Sequence, residues 1–346
     1  MVRFYRHIRS VSLLLAVVTC VGCSGDDSES PEGAAAQDSP KVTPKARVKT
    51  GLPGKGTFAL KKLLISDDCG RVAVGTNDKT QVWGLAGAPK KLAEVEGRLL
   101  ALSPDGKYLV SAVRGVPHFI DVDSGKELAE VKRYTASEAF FLTPTRVLAF
   151  TISYGAKGNS PLKIREYEVT TGELTREHDL PNGPKVKAAS HLSGGRLFVG
   201  YESEKRVVAW DFERNSAVSE VRPADPELKW VSFDVSPDGK WLLFDKSGPD
   251  PILDSSGKPA ASVPEKISSA SLAFVPDRDA FVAPTTLASK PNNYAWHQLA
   301  LFDIQAKKIT KILTGGADDL TNTKVSADGR TVIASDGTEV LVWGLD

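Results

Sequence analysis

The sequence is poor in the residues that most often carry chemistry. Its 346 residues hold one methionine, five histidines and three cysteines. Cys20 and Cys23 close an apolar leader, so Cys69 stands alone in the remainder. A lone thiol excludes an intrachain disulfide framework and reads as a tolerated turn residue. The four histidines beyond the leader, His118, His178, His191 and His297, share no metal-ligand spacing. Beyond residue 23 there is no His-Glu-x-x-His, Cys-x-x-Cys, Gly-x-Ser-x-Gly or Walker A segment. No metal and no cofactor is expected. An excess of one charge is also missing. The formal net charge is +1, and loss of Arg3, Arg6 and Arg9 with the leader takes it to −2. With no polybasic stripe, nucleic acid is excluded as a partner. No apolar run reaches the roughly 20 residues that a membrane-spanning helix needs. No long stretch of helical period separates the apolar segments, which excludes alternating βα units.

What is present begins with an address. Residues 1–9 carry three arginines, Val11–Val18 is a short apolar run, and Val21-Gly22-Cys23 follows. A basic start, a short apolar core and a small residue before the cut describe a secretory signal. The ending resembles a bacterial lipobox. That resemblance implies cleavage after residue 22, lipidation of Cys23, and export to the cell envelope with the outer membrane or periplasmic face favoured. The acyl chains would hold the protein on a membrane, because each buried CH₂ contributes about 0.8 kcal/mol. Residues 23–56 then read as the lipidated cysteine and a tether. They are rich in Ser, Pro, Gly, Ala and charge, and such a segment cannot bury enough surface to offset its ordering entropy.

From residue 57 to 346 one phrase recurs. Apolar stretches are joined by polar turns at Ser66–Arg71, Ser103–Lys107, Thr143–Arg146, Ser193–Arg196, Ser236–Lys240, Pro276–Asp279 and Ser326–Arg330. Pro presets φ early in such a turn and Gly accepts φ > 0 later, so Pro-Asp-Gly is hairpin chemistry. A second phrase pairs a bulky residue with a small or acidic one: Trp83-Gly84, Ile120-Asp121, Tyr167-Glu168, Trp210-Asp211, Leu253-Asp254, Phe302-Asp303 and Trp343-Gly344. The spacings are 37, 47, 43, 43, 49 and 41 residues. Repeats of about 40–45 residues with four short strands are the period of a β-propeller. Ring closure leaves only short edges where a flat sheet would leave long ones. The expectation is an all-β fold, a propeller of about seven four-stranded blades. The chain ends just after the third strand of the seventh repeat, so the outer strand of that blade is expected from within residues 46–60.

Leu102-Ser103-Pro104-Asp105-Gly106-Lys107-Tyr108-Leu109 and Val235-Ser236-Pro237-Asp238-Gly239-Lys240-Trp241-Leu242 resemble the WD40-like repeat superfamily, and Trp210-Asp211 fits it too. The resemblance covers residues 57–346 and implies the fold, not a task. Trp83, Trp210 and Trp343 fall at equivalent positions, which points to packing between blades. The repeats differ most in two loops. Residues 153–161 in the third repeat and 284–298 in the sixth are insertions between the second and third strands. Insertions that map to one face of a repeat array often mark its binding face. These carry Tyr154, Lys157, Tyr294, Trp296 and His297 as the candidate binding residues. The function so read is a membrane-tethered, monomeric binding or scaffold propeller presenting its top face to a protein, peptide or glycan. The alternative is a lactonase-like hydrolase with its site at the channel mouth, built from single residues on separate blades.

Overall fold

The turns act as small, self-contained hydrogen-bond units. In one of them Ser103 Oγ donates to Asp105 Oδ1 (2.7 Å) and accepts the N–H of Tyr108 (2.9 Å). Asp105 Oδ1 also accepts the N–H of Lys107 at 3.1 Å. Ser236 and Asp238 repeat this arrangement, as do Ser326 and Asp328. The serines are buried, so each needs these partners. Gly106, Gly239 and Gly329 hold φ of 71°, 74° and 68° at the turn apex. Cys69 occupies the same place in the first turn with φ 57°.

The computed structural model describes residues 39–52, 60–132, 134–150, 162–180, 186–193, 196–201, 204–225, 232–245, 250–287 and 296–345. Two short N-terminal strands come first, β1 (Lys41–Val42) and β2 (Ala46–Lys49). Blade 1 is β3 (Lys62–Ile65), β4 (Arg71–Gly75), β5 (Lys79–Gly84) and β6 (Lys90–Glu96). Blade 2 is β7 (Arg98–Leu102), β8 (Tyr108–Val113), β9 (Val116–Asp121) and β10 (Glu127–Glu130). Blade 3 is β11 (Glu138–Phe141), β12 (Arg146–Phe150), β13 (Leu162–Glu168) and β14 (Leu174–Leu180). Blade 4 is β15 (Val186–Ser193), β16 (Arg196–Tyr201), β17 (Arg206–Asp211) and β18 (Ser216–Val221). Blade 5 is β19 (Ser232–Val235), β20 (Trp241–Asp245), β21 (Pro251–Asp254) and β22 (Pro259–Ser262). Blade 6 is β23 (Ala273–Phe274), β24 (Ala280–Thr285), β25 (Gln298–Asp303) and β26 (Lys308–Leu313). Blade 7 is β27 (Thr321–Val325), β28 (Thr331–Ser335) and β29 (Glu339–Gly344), with β2 as its outer strand.

The fold is a seven-bladed, all-β propeller. The described residues contain no α-helix, only a short 3-10 turn at Ser269–Ser271. Within each blade consecutive strands pair antiparallel. The second sequence phrase has a structural meaning. In six blades the pairing of the third and fourth strands shifts register at or just before the bulky residue, as between Val82 and Trp83 or Ala209 and Trp210. Such bulges increase the local twist. The acid that follows closes the next turn: Asp121, Asp211, Asp254 and Asp303 accept the N–H of Ser124, Arg214, Ser256 and Ala306.

The apolar core is not one mass but seven clusters, one in each seam between neighbouring blades. Trp83, Trp210 and Trp343 each pack into the seam with the preceding blade, and Trp343 is fully buried with its Nε1–H on Thr314 O at 2.9 Å. In the seam between blades 1 and 2 the backbones are close enough that a Cβ on Gly75 would lie 2.5 Å from Leu99 Cβ. The seam between blades 7 and 1 joins the two ends of the chain. There β2 runs antiparallel to β29 with Ala46 opposite Val342 and Val48 opposite Val340. Val48 packs with Leu63, Val72, Ile333 and Val340. Arg47 bridges to Glu339 Oε2 (3.2 Å) and Gly315 O (2.7 Å).

Within the segment that composition reads as a tether, residues 41–49 therefore belong to the ring. β1 adds a fifth strand to blade 6, parallel to β26, with Lys41 opposite Ile312. Composition misses this because Lys41, Lys45, Arg47 and Lys49 point charge outward while Val42 and Val48 turn inward.

Two stability predictions follow from these units. Removing residues 24–38 is expected to leave the thermal midpoint nearly unchanged, whereas removing 24–50 lowers it by more than ten degrees or abolishes folding. Equal midpoints by calorimetry would contradict the closure. A non-glycine residue in the left-handed region costs about 1–2 kcal/mol. Glycine adds about 0.5–1 kcal/mol of unfolded-chain freedom. Cys69→Gly is thus expected to stabilise by up to about 1 kcal/mol in urea unfolding, and a loss of stability would contradict the strain.

Candidate functional site at the channel mouth

A strand of a blade starts near the axis, and in this chain the first strand of each blade begins on the face that also carries the loops between second and third strands. That face is the top. Residues at the starts of the innermost strands therefore ring the upper end of the central channel. A cavity of about 590 Å³ opens there, lined from blades 1, 2, 3, 5, 6 and 7.

Lys61 and Lys62 come from the start of β3, Arg98 from β7, Glu138 from β11, Asp234 from β19 and Lys324 from β27. Ser271, Pro284, Trp296 and Asp319 complete the rim from around blade 6 and its link to blade 7. Lys62 spans blade 2 to reach blade 3, its Nζ 3.2 Å from Glu138 Oε2. Arg98 Nη2 donates to Ser137 O at 2.8 Å. Thr323 N–H donates to Ser271 Oγ at 2.9 Å. Trp296 is half-buried and fixed by its backbone: its N–H donates to Asp319 Oδ1 (2.8 Å) and its carbonyl accepts the N–H of Leu320 (2.9 Å).

Burial holds the Lys62 ammonium below the ordinary lysine value of 10.5, with Glu138 opposing that shift and Lys324 and Arg98 adding to it. About a quarter of the side chain's own surface still faces solvent (27%). The desolvation comes from the protein walls around the channel rather than from full enclosure.

Of the candidate residues read from sequence, Trp296 lines this mouth. His297 does not line it: Nδ1 is buried with no hydrogen-bond partner among the described residues, as is Gln298 Oε1. Tyr154, Lys157 and Tyr294 lie outside the described residues, as does Cys23. Lys62, Arg98, Glu138 and Lys324 were not singled out by sequence reasoning. Each is a single residue on the innermost strand of a different blade, so no local motif marks the set. Four cations, three carboxylates, hydroxyls and an indole line one concavity.

Other polar clusters serve the seams. His178 is fully buried between blades 3 and 4, its Nδ1 2.8 Å from Asn215 Oδ1 and its Nε2 3.3 Å from Glu166 Oε2. Arg146 Nε donates to the same Glu166 at 2.6 Å, so this histidine is a satisfied part of the packing. No group of three or more metal-ligating side chains occurs among the described residues. No helix among them is long and apolar enough to cross a membrane.

The fold is a seven-bladed β-propeller, consistent with the WD40-like repeat architecture, with a top-face cavity shared by six blades. No protein-family model matches the sequence, and no curated protein matches it.

Glu138→Gln removes the carboxylate that opposes the desolvation of Lys62. A hydrogen bond to a charged group is worth about 1.5–3 kcal/mol. The variant is expected to lose at least about 1 kcal/mol of stability and to lower the Lys62 pKa further, read by urea unfolding and by NMR titration of the lysine side chain. An unchanged Lys62 titration would contradict the pairing.

Proposed function

We propose that this protein is a binding propeller, exported and held on a membrane by lipid on Cys23, that takes part of a protein, peptide or glycan partner into the top mouth of its channel. The observation that carries the reading is the mouth itself, a cavity of about 590 Å³ to which six of seven blades contribute and where Trp296 offers half-buried aromatic area. Aromatic anchors in such settings dominate interface energies.

The path of the N-terminal segment supports the tethered geometry. β1 runs parallel to β26, the outer strand of blade 6, from the bottom of the ring toward the top. Just before it, Ser39 Oγ donates to Ile309 O, and Pro40 O accepts the N–H of Ile312. The chain thus joins the ring on its lower, outer rim.

The test uses the full chain expressed with its leader. Cys23→Ala is expected to move the protein from the membrane fraction to the soluble fraction, while the parent's mature mass carries acyl chains. With a partner recovered by cross-linking from membranes, Trp296→Ala is expected to weaken binding by about thirty-fold, the equivalent of 2 kcal/mol. The same change at the buried seam residue Trp210 is expected to unfold the protein instead. Full partner affinity in Trp296→Ala would move the binding surface away from the mouth.

A further inference from the structure

The charges at the mouth are not evenly spread. Lys62 and Arg98 stand at the starts of the innermost strands of blades 1 and 2, Lys324 lies further along the innermost strand of blade 7, the next blade round the ring, and Lys61 adjoins them. The acids lie at the ends of this arc or across the channel: Glu138 on blade 3, Asp234 on blade 5 and Asp319 next to blade 6. Most of the acidic capacity is already engaged. Glu138 accepts from Lys62, Asp319 Oδ1 accepts the N–H of Trp296, and Asp234 Oδ1 accepts the N–H of Val235 at 3.1 Å. The cations are less well served. Arg98 donates to a neutral carbonyl, and the Lys61 and Lys324 ammonium groups have no carboxylate partner among the described residues. Lys62 feels both Lys324 and Arg98 as like-charge neighbours. Convergent cations in a partly desolvated cavity are costly without a counter-charge.

We propose that the arc formed by Lys62, Arg98 and Lys324 is an anion-recognition subsite, which engages a carboxylate or phosphate group of the ligand. The inference rests on the reading of the mouth as a binding site and names the chemistry of what enters it. Arg98 supplies a planar guanidinium suited to either group, and the two lysines supply point charges from blades 1 and 7. The cavity is several times the size of one such group, so the remainder of the ligand lies toward Trp296 and the Ser271–Thr323 hydroxyls.

Two probes serve in place of the unidentified ligand: citrate for carboxylates and inorganic pyrophosphate for phosphates. Calorimetric titration of the mature protein at low ionic strength is expected to show saturable, one-to-one binding of at least one of them. The one that binds more tightly identifies the group. Lys324→Ala and Arg98→Gln are each expected to weaken that binding at least tenfold, or about 1.4 kcal/mol. Both should keep the parent's thermal midpoint within a few degrees. Lys90→Ala, exposed on β6, is expected to bind as the parent does. Absence of binding by both probes up to 10 mM, or parental affinity in both arc variants, would overturn the subsite. Loss of partner binding in Trp296→Ala with full partner binding in Lys324→Ala would also overturn it, while leaving the mouth as the binding site. Anion binding that depends on the arc upholds the subsite even if the partner proves indifferent to Trp296→Ala, which would sink only the wider reading.

Discussion

Everything in this molecule depends on the pairing of β2 with β29. Each of the seven apolar clusters is shared by two blades, so no blade carries a core of its own. An open ring would have six seams and two exposed blade faces. In the seventh seam Val48 and Leu52, next to the outer strand of blade 7, pack together with Leu63, Val72 and Val74 of blade 1 and Ile333, Val340 and Val342 of blade 7. The register of four residue pairs, Ala46 with Val342 through Lys49 with Glu339, ties the termini into one sheet. Apolar burial there is worth about 25 cal/mol per Å². Opening the ring would lose that burial and create two sheet edges at once.

Closure also makes the site. The lining of the mouth comes from positions as far apart in sequence as Lys61 and Lys324, and only a closed ring gathers them around a single channel. The same constraint explains why the charges there can be strained. A ring with seven satisfied seams tolerates a locally costly cluster of cations, because the cluster cannot relax without moving whole blades. Polar groups away from the mouth are absorbed into the packing, as with His178, Glu166 and Arg146 between blades 3 and 4.

The fold was legible in sequence because its local chemistry repeats. Ser103, Asp105 and Gly106 each have one duty in a turn, and the same duties recur at Ser236, Asp238 and Gly239. The bulky residues that mark the third strands sit beside bulges and fill seams, which fixes both their size and their spacing. The inclusion of β1 was not legible, since two residues on an outer edge leave no pattern. Of the residues that line the mouth, the sequence singled out Trp296 alone, by its place in a loop that the repeat spacing marks as an insertion. Lys62, Arg98 and Lys324 look like ordinary polar residues on short strands. Their meaning comes from three blades converging, a long-range fact that no local pattern encodes.

The dependence on closure can be measured by native-state hydrogen exchange. If the pairing of β2 with β29 holds the ring, those amides of residues 46–49 that donate to β29 exchange as slowly as the amides of the inner strands β4 and β8, through the same global opening. Exchange of residues 46–49 at the rate of surface loops, with the inner strands still protected, would show that the ring stands without its seventh seam and would contradict the account.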